Sequence, residues 1–366
     1  MWPLPALAPP QESKIIDPLS RTTDVRWYTV SVLVILLSAC GGGGMMGQFY
    51  FEDGDFDRAR EAFETAATAR PGDPGVGFWL GRTYAELGDY RRMRDAWDRS
   101  LASSLRYAEE IEGQLKRYWM IEHRRGESLL AVSPIDFAAA LAAFSNALVI
   151  DPDNKTSLHG LAYTYVQIDS VVLALSIYEG LAETDPADSR ANRALSAIYM
   201  QAGRYDEAVG SLVQLLELDP LDVGSLSQLA AAFEHLGRDA EALDICEQLV
   251  LLAPDDSWPR SCVGHLHQRL GNDGKAAAAY EMALKLSPAN TEVLGDLARL
   301  QLARGDNDAA LPLLELLSVR TPHEPLVWQQ LAQIYHERGL PDLEARALQW
   351  VRDLGGLDAD VDAANP

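Results

Sequence analysis

Residues 189–220 read SRANRALSAIYMQAGRYDEAVGSLVQLLELDP, and this stretch decides the fold. Leu195 and Tyr199 stand four apart, as do Ala208 and Leu212, the spacing that puts side chains on one face of an α-helix. Between the two runs, the segment from Gly203 reads as a turn. Asp219 and Pro220 close the second run, because proline has no backbone N–H and cannot continue a helix. The stretch is one member of a series. Pro152, Pro186, Pro220, Pro254, Pro288 and Pro322 follow one another at intervals of 34 residues. A fixed period of roughly 20–50 residues is the signature of a solenoid of stacked units.

The other positions keep phase with the prolines: Leu158, Leu161, Tyr165, Ala174 and Tyr178; Leu226, Leu229, Phe233 and Ala242; Gly264, Ala276 and Tyr280; Leu294, Leu297, Ala310 and Leu314; Trp328, Leu331, Tyr335 and Leu348. With its 34-residue period, this pattern resembles the tetratricopeptide-repeat family. The resemblance implies an all-α, right-handed α-solenoid of about nine helical hairpins. Small residues (Ala174, Ala208, Ala242, Ala276) let helices approach, and large ones (Tyr165, Tyr199, Phe233) fill the space between them. No unit buries its apolar face alone, so neighbours make the core.

Two further units fall in 48–105, where Gly47 and Gly81 are again 34 apart. The phase then slips by 13 residues within Arg106–Ser133. Tyr107, Ile111, Leu115, Tyr118 and Ile121 recur there at helical spacing, which predicts an extended first helix for an atypical unit, 106–154. Its second helix is expected to start at Ser133 and Pro134 and to run over 135–150. Six regular units fill 155–354, and 355–366 reads as an acidic, disordered tail. With no polar capping helix in view, the apolar side of the last helix (Leu348, Val351) is expected to be covered by a partner, a second copy or the tail.

The N-terminal segment carries one long apolar run, Tyr28 to Ala39, too short to span a bilayer. It ends Leu37-Ser38-Ala39-Cys40, which resembles the lipobox of bacterial lipoproteins. That resemblance implies a signal peptide over 1–39, lipidation at Cys40, and a glycine-rich tether over 40–47. It also implies an outer-membrane protein facing the periplasm, if the organism has two membranes, since Gly41 is not aspartate. Glu12, Asp17 and Asp24 are unusual in a signal sequence, so translation is expected to start at Val25.

The chain has 54 acidic and 31 basic residues, a net charge of −23. Such a balance argues against sequence-independent nucleic-acid binding. Three cysteines are too few for a disulfide scaffold. Cys246 and Cys262 fall in adjacent helices, and the spacing leaves their pairing open. No motif for catalysis, a cofactor or a metal is present; His265 and His267 are two apart, on different helix faces.

The family resemblance places ligand contacts on the first helix of each hairpin. Transferred by position, they are Arg82, His159, Tyr163, Arg190, Arg193, Trp258, His265, Arg269 and Arg299. Glu86, Glu234, Glu292 and Glu337, with His235 and His336, share that face. For an acidic chain this groove is relatively basic, so an acidic peptide or a C-terminal carboxylate is the expected guest. The alternative is a polar face that binds nothing. A second basic patch, Lys116, Arg117, His123, Arg124 and Arg125, suits acidic headgroups or an acidic subunit. Taken together, the sequence reads as a non-enzymatic, membrane-anchored scaffold for a protein or peptide partner. Its setting is an envelope assembly or secretion system (pilus, polysaccharide export, outer-membrane biogenesis). The alternatives are an adaptor for a cell-wall or protease machine, or an enzyme with a site in 106–133.

Overall fold

The computed structural model describes residues 43–355. The expected signal peptide, lipidated Cys40, Val25 start and acidic tail beyond Gly355 lie outside the described residues. Within them the fold is all-α: eighteen α-helices and no strand. The chain divides after Ser170 into two compact units.

The first unit holds α1 (Gly43–Glu52), α2 (Phe56–Ala69), α3 (Pro74–Glu86), α4 (Tyr90–Ser103), α5 (Ala108–Ala131), α6 (Phe137–Ile150) and α7 (Lys155–Gln167). In the second are α8 (Val171–Thr184), α9 (Ser189–Gln201), α10 (Tyr205–Leu218), α11 (Val223–His235) and α12 (Asp239–Leu252). It continues with α13 (Trp258–Arg269), α14 (Asp273–Leu286), α15 (Thr291–Ala303), α16 (Asn307–Arg320), α17 (Pro325–Glu337) and α18 (Pro341–Asp353). Within each unit, consecutive helices pack against one another, so almost every contact is local in sequence.

Short side chains start the helices. Asp188 accepts from the backbone N–H groups of Arg190 and Ala191, at 3.1 and 3.0 Å. Asp73 and Asn290 make the same pair of bonds. Each satisfies donors that the first turn leaves free. Glycine ends most first helices: Gly203, Gly237, Gly271, Gly305 and Gly339 all have φ near +70°, the left-handed region that costs other residues. Asp169 holds that position with φ 59°.

Packing follows a rule of size. Phe63, Trp97 and Tyr280 on second helices are fully buried. Sixteen residues earlier, on the partner helix, stand Gly47, Gly81 and Gly264. A Cβ at these glycines would lie 2.6, 2.3 and 2.6 Å from the facing ring. Where the large position holds Leu212 or Leu314, the facing residue is Ser196 or Ala298. Ala59, Ala208, Ala242, Ala276 and Ala310 sit one turn earlier on the second helices, with no exposed surface.

Tyrosines add directional bonds between hairpins. The phenol of Tyr84 donates to Glu64 at 2.6 Å, Tyr199 to Glu179 at 2.6 Å, and Tyr335 to Glu315 at 3.1 Å. In each, a first helix donates to the second helix of the hairpin before it. Burial, and then the hydrogen bond to the carboxylate, pushes Tyr84 and Tyr199 each up to about 12.

Three expectations need correction. The first helix begins at Gly43, so the tether predicted over 40–47 is folded for most of its length. Gly47, the last residue of that tether, faces Phe63, as its phase with Gly81 predicts. The second helix of the atypical hairpin starts at Phe137, because Asp136 caps it by accepting from the N–H of Ala139 at 2.9 Å. Ser133 and Pro134 lie in the connection. Finally, Val351 is buried and Leu348 packs into the cluster of Leu331, Ala332 and Tyr335, so neither awaits a partner. Arg346, Gln349 and Asp353 are exposed on α18 together with Leu343 and Trp350, so the outer side of this helix is mixed. The extended first helix is observed as expected, 24 residues long.

Gly81→Ala is expected to cost about 1–3 kcal/mol by forcing the indole of Trp97 out of place, read as a lowered urea midpoint at unchanged m-value. The tyrosine joints give a second outcome. An unfolded phenol titrates near pH 10, so a raised folded pKa stabilises fully below that pH. The stabilisation is lost as pH climbs through about 12. A Tyr84→Phe, Tyr199→Phe variant should be less stable at pH 8 and lose less than the parent between pH 10 and 12, by urea titration at each pH.

Candidate functional site

The first helices carry the residues predicted for ligand contact, and the structure treats them unequally. In the first unit, the Arg82 guanidinium lies 4.7 Å from the ring centres of both Phe51 and Trp79, stacked on aromatic faces. Tyr163 is exposed. His159 is buried, contrary to the expected groove position.

In the second unit, Arg190 is exposed and the other arginines are engaged. Arg193 lies 3.9 Å from Asp222, Arg269 lies 2.8 Å from Asp239, and Arg299 pairs with Asp296 one turn away. The relative basicity expected of this face is therefore offset by carboxylates of the same helices and their neighbours.

Trp258 and His265 are brought together. With Ser261, Cys262, Glu234, Glu292, Val293 and Asp296 they line a cavity of about 330 Å³ across three first helices, α11, α13 and α15. Trp258 is 42% exposed. His265 Nδ1 stands 3.5 Å from Glu234 Oε1, which is shut off from solvent and accepts no hydrogen bond. A second cavity, of about 300 Å³, follows along the chain; Glu292 lines both, and Arg299, Gly295 and Leu326 belong to the second.

Ser261, Val293 and Asp296 are the lining residues that the sequence reading missed or left unused. Ser261 is the repeat equivalent of Arg193, 68 residues on, but is small. Asp296 falls 34 residues after Cys262, at a position that also carries Ala194, Gln228 and Gln330, so periodicity alone does not single it out.

Cys246 and Cys262 form a disulfide that joins α12 to α13, with Cα atoms 6.2 Å apart. Both are buried. The question left open by spacing is settled by register: Cys262 sits 16 residues after Cys246, as Gly160 does after Phe144, a pair also in contact.

His267 points away from the cavity. It is buried, its Nδ1 has no partner, and burial, then nearby Lys275, pulls its pKa down. Among the described residues, no three His, Cys, Asp or Glu side chains are placed to hold a metal ion.

The basic stretch on α5 is only partly a surface. Lys116, Arg117, Arg124 and Arg125 are exposed, but His123 is buried, which corrects its place in the patch. His123 stacks on Trp119, with ring centres 5.3 Å apart. Its Nδ1 is 3.1 Å from Ser157 Oγ, and its Nε2 is 3.4 Å from Glu127. This outlines a hydroxyl–imidazole–carboxylate relay. Ser157 has no exposed surface, and its Oγ already accepts from the Trp119 indole at 2.9 Å. The three side chains lock α5 onto α7. Nearby, Glu122 is buried and accepts from Tyr90 at 3.0 Å and Asn146 at 3.2 Å.

A family model described as "Tetratricopeptide repeat" matches residues 50–92, 136–198, 199–258 and 271–335, well over half of the chain. The chain belongs to the tetratricopeptide-repeat family, and its fold is that of a protein–protein interaction scaffold. Among solved structures it is similar to a MamA protein, at 17% identity and TM-score 0.43, over 49% of this chain and 97% of that one. MamA from Desulfovibrio magneticus RS-1 matches at 17% identity and TM-score 0.42, over 46% and 94%. YrrB, a TPR protein with an unusual peptide-binding site, matches at 17% identity and TM-score 0.45, over 52% and 97%. No curated protein matches the chain.

Breaking the disulfide tests its structural weight. Closing a loop of this length contributes about 3 kcal/mol in the chain-entropy model. Cys246→Ser, Cys262→Ser, or the parent in reductant, should therefore unfold at distinctly lower urea, and added reductant should leave the variant unmoved.

Proposed function

We propose that the protein is a lipid-anchored scaffold of the bacterial envelope that holds a protein segment along its first helices. The observation that carries the binding part is the pair of consecutive cavities sharing Glu292, both opening on positions where the family takes ligands. Two features support the envelope part. Leu37-Ser38-Ala39-Cys40 places a lipidation signal three residues ahead of the first described helix. The disulfide favours an oxidising compartment over a reducing cytosol. Among the described residues no helix is long and apolar enough to cross a membrane, and acyl chains on Cys40 supply the attachment. Anchored there, α1 sits within about 10 Å of the bilayer at roughly 3.5 Å per residue.

The enzyme alternative in 106–133 loses support from Ser157, because a buried hydroxyl offers no substrate access. Scaffolding of a pilus, export or assembly system, or of a cell-wall or protease machine, is decided by the partner.

Expression of the full chain in a two-membrane bacterium with an alkyne-tagged fatty acid tests the anchor. Label and sedimentation with membranes are expected, and both should vanish in Cys40→Ser. A mature protein that keeps residues 1–39 and carries no label overturns the anchor. Crosslinking of the same material, with identification of the captured protein, tests the scaffold.

A further inference from the structure

The first cavity has a chemistry of its own. Three of its lining side chains are carboxylates, Glu234, Glu292 and Asp296, and one wall is the indole of Trp258. Two of these carboxylates already have a neighbour of opposite sign: Arg299 pairs with Asp296, and His265 Nδ1 stands 3.5 Å from Glu234, while Arg269 is turned to Asp239. Among the described residues, no Lys or Arg forms an ion pair with Glu234 or Glu292. His265 is the one basic residue on the wall.

An indole face is electron-rich, and so is its surround. Left empty, the cavity concentrates negative potential in a chain that is already strongly acidic. A water-filled apolar pocket would not need three carboxylates, and a metal site would bring them together as ligands, which they are not. A long cationic side chain answers every wall. Its methylene stem lies along the indole, its charge sits over the ring face, and its N–H groups reach the carboxylates. Repeat equivalence marks the place as singular. At the position of Trp258 the other hairpins of the second unit carry Arg190, Gly224, Glu292 and Leu326.

Resting on the scaffold reading above, we infer that this cavity is the specificity pocket for a lysine or arginine side chain of the bound segment. The guest at this point is basic, in contrast to the acidic guest that the arginine count suggested. Glu292, which lines both cavities, ties the basic side chain to whatever follows it in the second, where Leu326 and Gly295 leave an open, mixed surface.

The test is selection of a phage-displayed random dodecapeptide library on the full chain, followed by anisotropy with the winning peptides. Lys or Arg should be enriched at one position, and replacing that residue by Gln should weaken binding about tenfold or more. The Glu234→Gln, Glu292→Gln double variant and Trp258→Ala should each weaken it similarly, with helical circular dichroism and melting temperature kept. Affinity should fall with added salt. Winners rich in Asp or Glu, or winners that bind the double variant as tightly as the parent, overturn the inference while the scaffold reading survives. A library in which nothing is enriched overturns both. Should Trp258→Ala fail to fold, the double glutamine variant, which keeps side-chain volume, decides alone.

Discussion

One contact, between a large side chain on a second helix and the residues sixteen before and after it, holds this structure together. Phe63 meets Gly47 behind and stacks in parallel on Trp79 ahead, with ring centres 6.5 Å apart. Phe144 meets Gly160 ahead and Gly126 behind, the latter at eighteen because the atypical hairpin is longer. Cys246 meets Cys262 ahead through a covalent bond. Each large residue thus belongs to two hairpins at once, so a hairpin without its neighbour has half a core. Close packing allows little adjustment: within a hairpin, the wider the ring, the smaller the residue sixteen before it.

Charge is arranged on top of that frame. Many of the carboxylates serve as helix caps, in turns or in inter-hairpin tyrosine bonds, as Glu179 does for Tyr199. Arginines of the first helices pair with them in turn. What stays uncompensated is therefore more informative than the count of either sign. Arg190, and Glu292 in the cavity walled by Trp258, stand out only after the internal pairs are subtracted.

Much of the fold was legible because the period is rigid: prolines, alanines and glycines in phase leave helix pairs as the one arrangement that buries every apolar position. The extended helix α5 showed itself by the spacing of Ile111, Leu115 and Tyr118. Its ends did not, since Ser133-Pro134 and Asp136 offer competing starts and only the bond to Ala139 chooses between them. The site was half legible. Family positions located Trp258 and His265, but neither the inward turn of His123 and His159 nor the pairing of Arg269 with Asp239 follows from spacing. Those depend on which neighbour lies across the gap. The burial of Leu348 and Val351 depends on α17 lying across from them, which spacing alone does not give.

The bond between Cys246 and Cys262 has a mechanical side. Stacked hairpins open from their ends, one joint at a time. If the chain is tethered at one end and loaded through a captured partner at the other, tension runs along this stack. The clasp keeps the 16-residue span between the sulfurs from paying out, withholding about 50 Å of contour at roughly 3.5 Å per residue. Under pull, the protein carries a rupture stop midway along its second unit, and the redox state of its surroundings sets whether that stop is engaged.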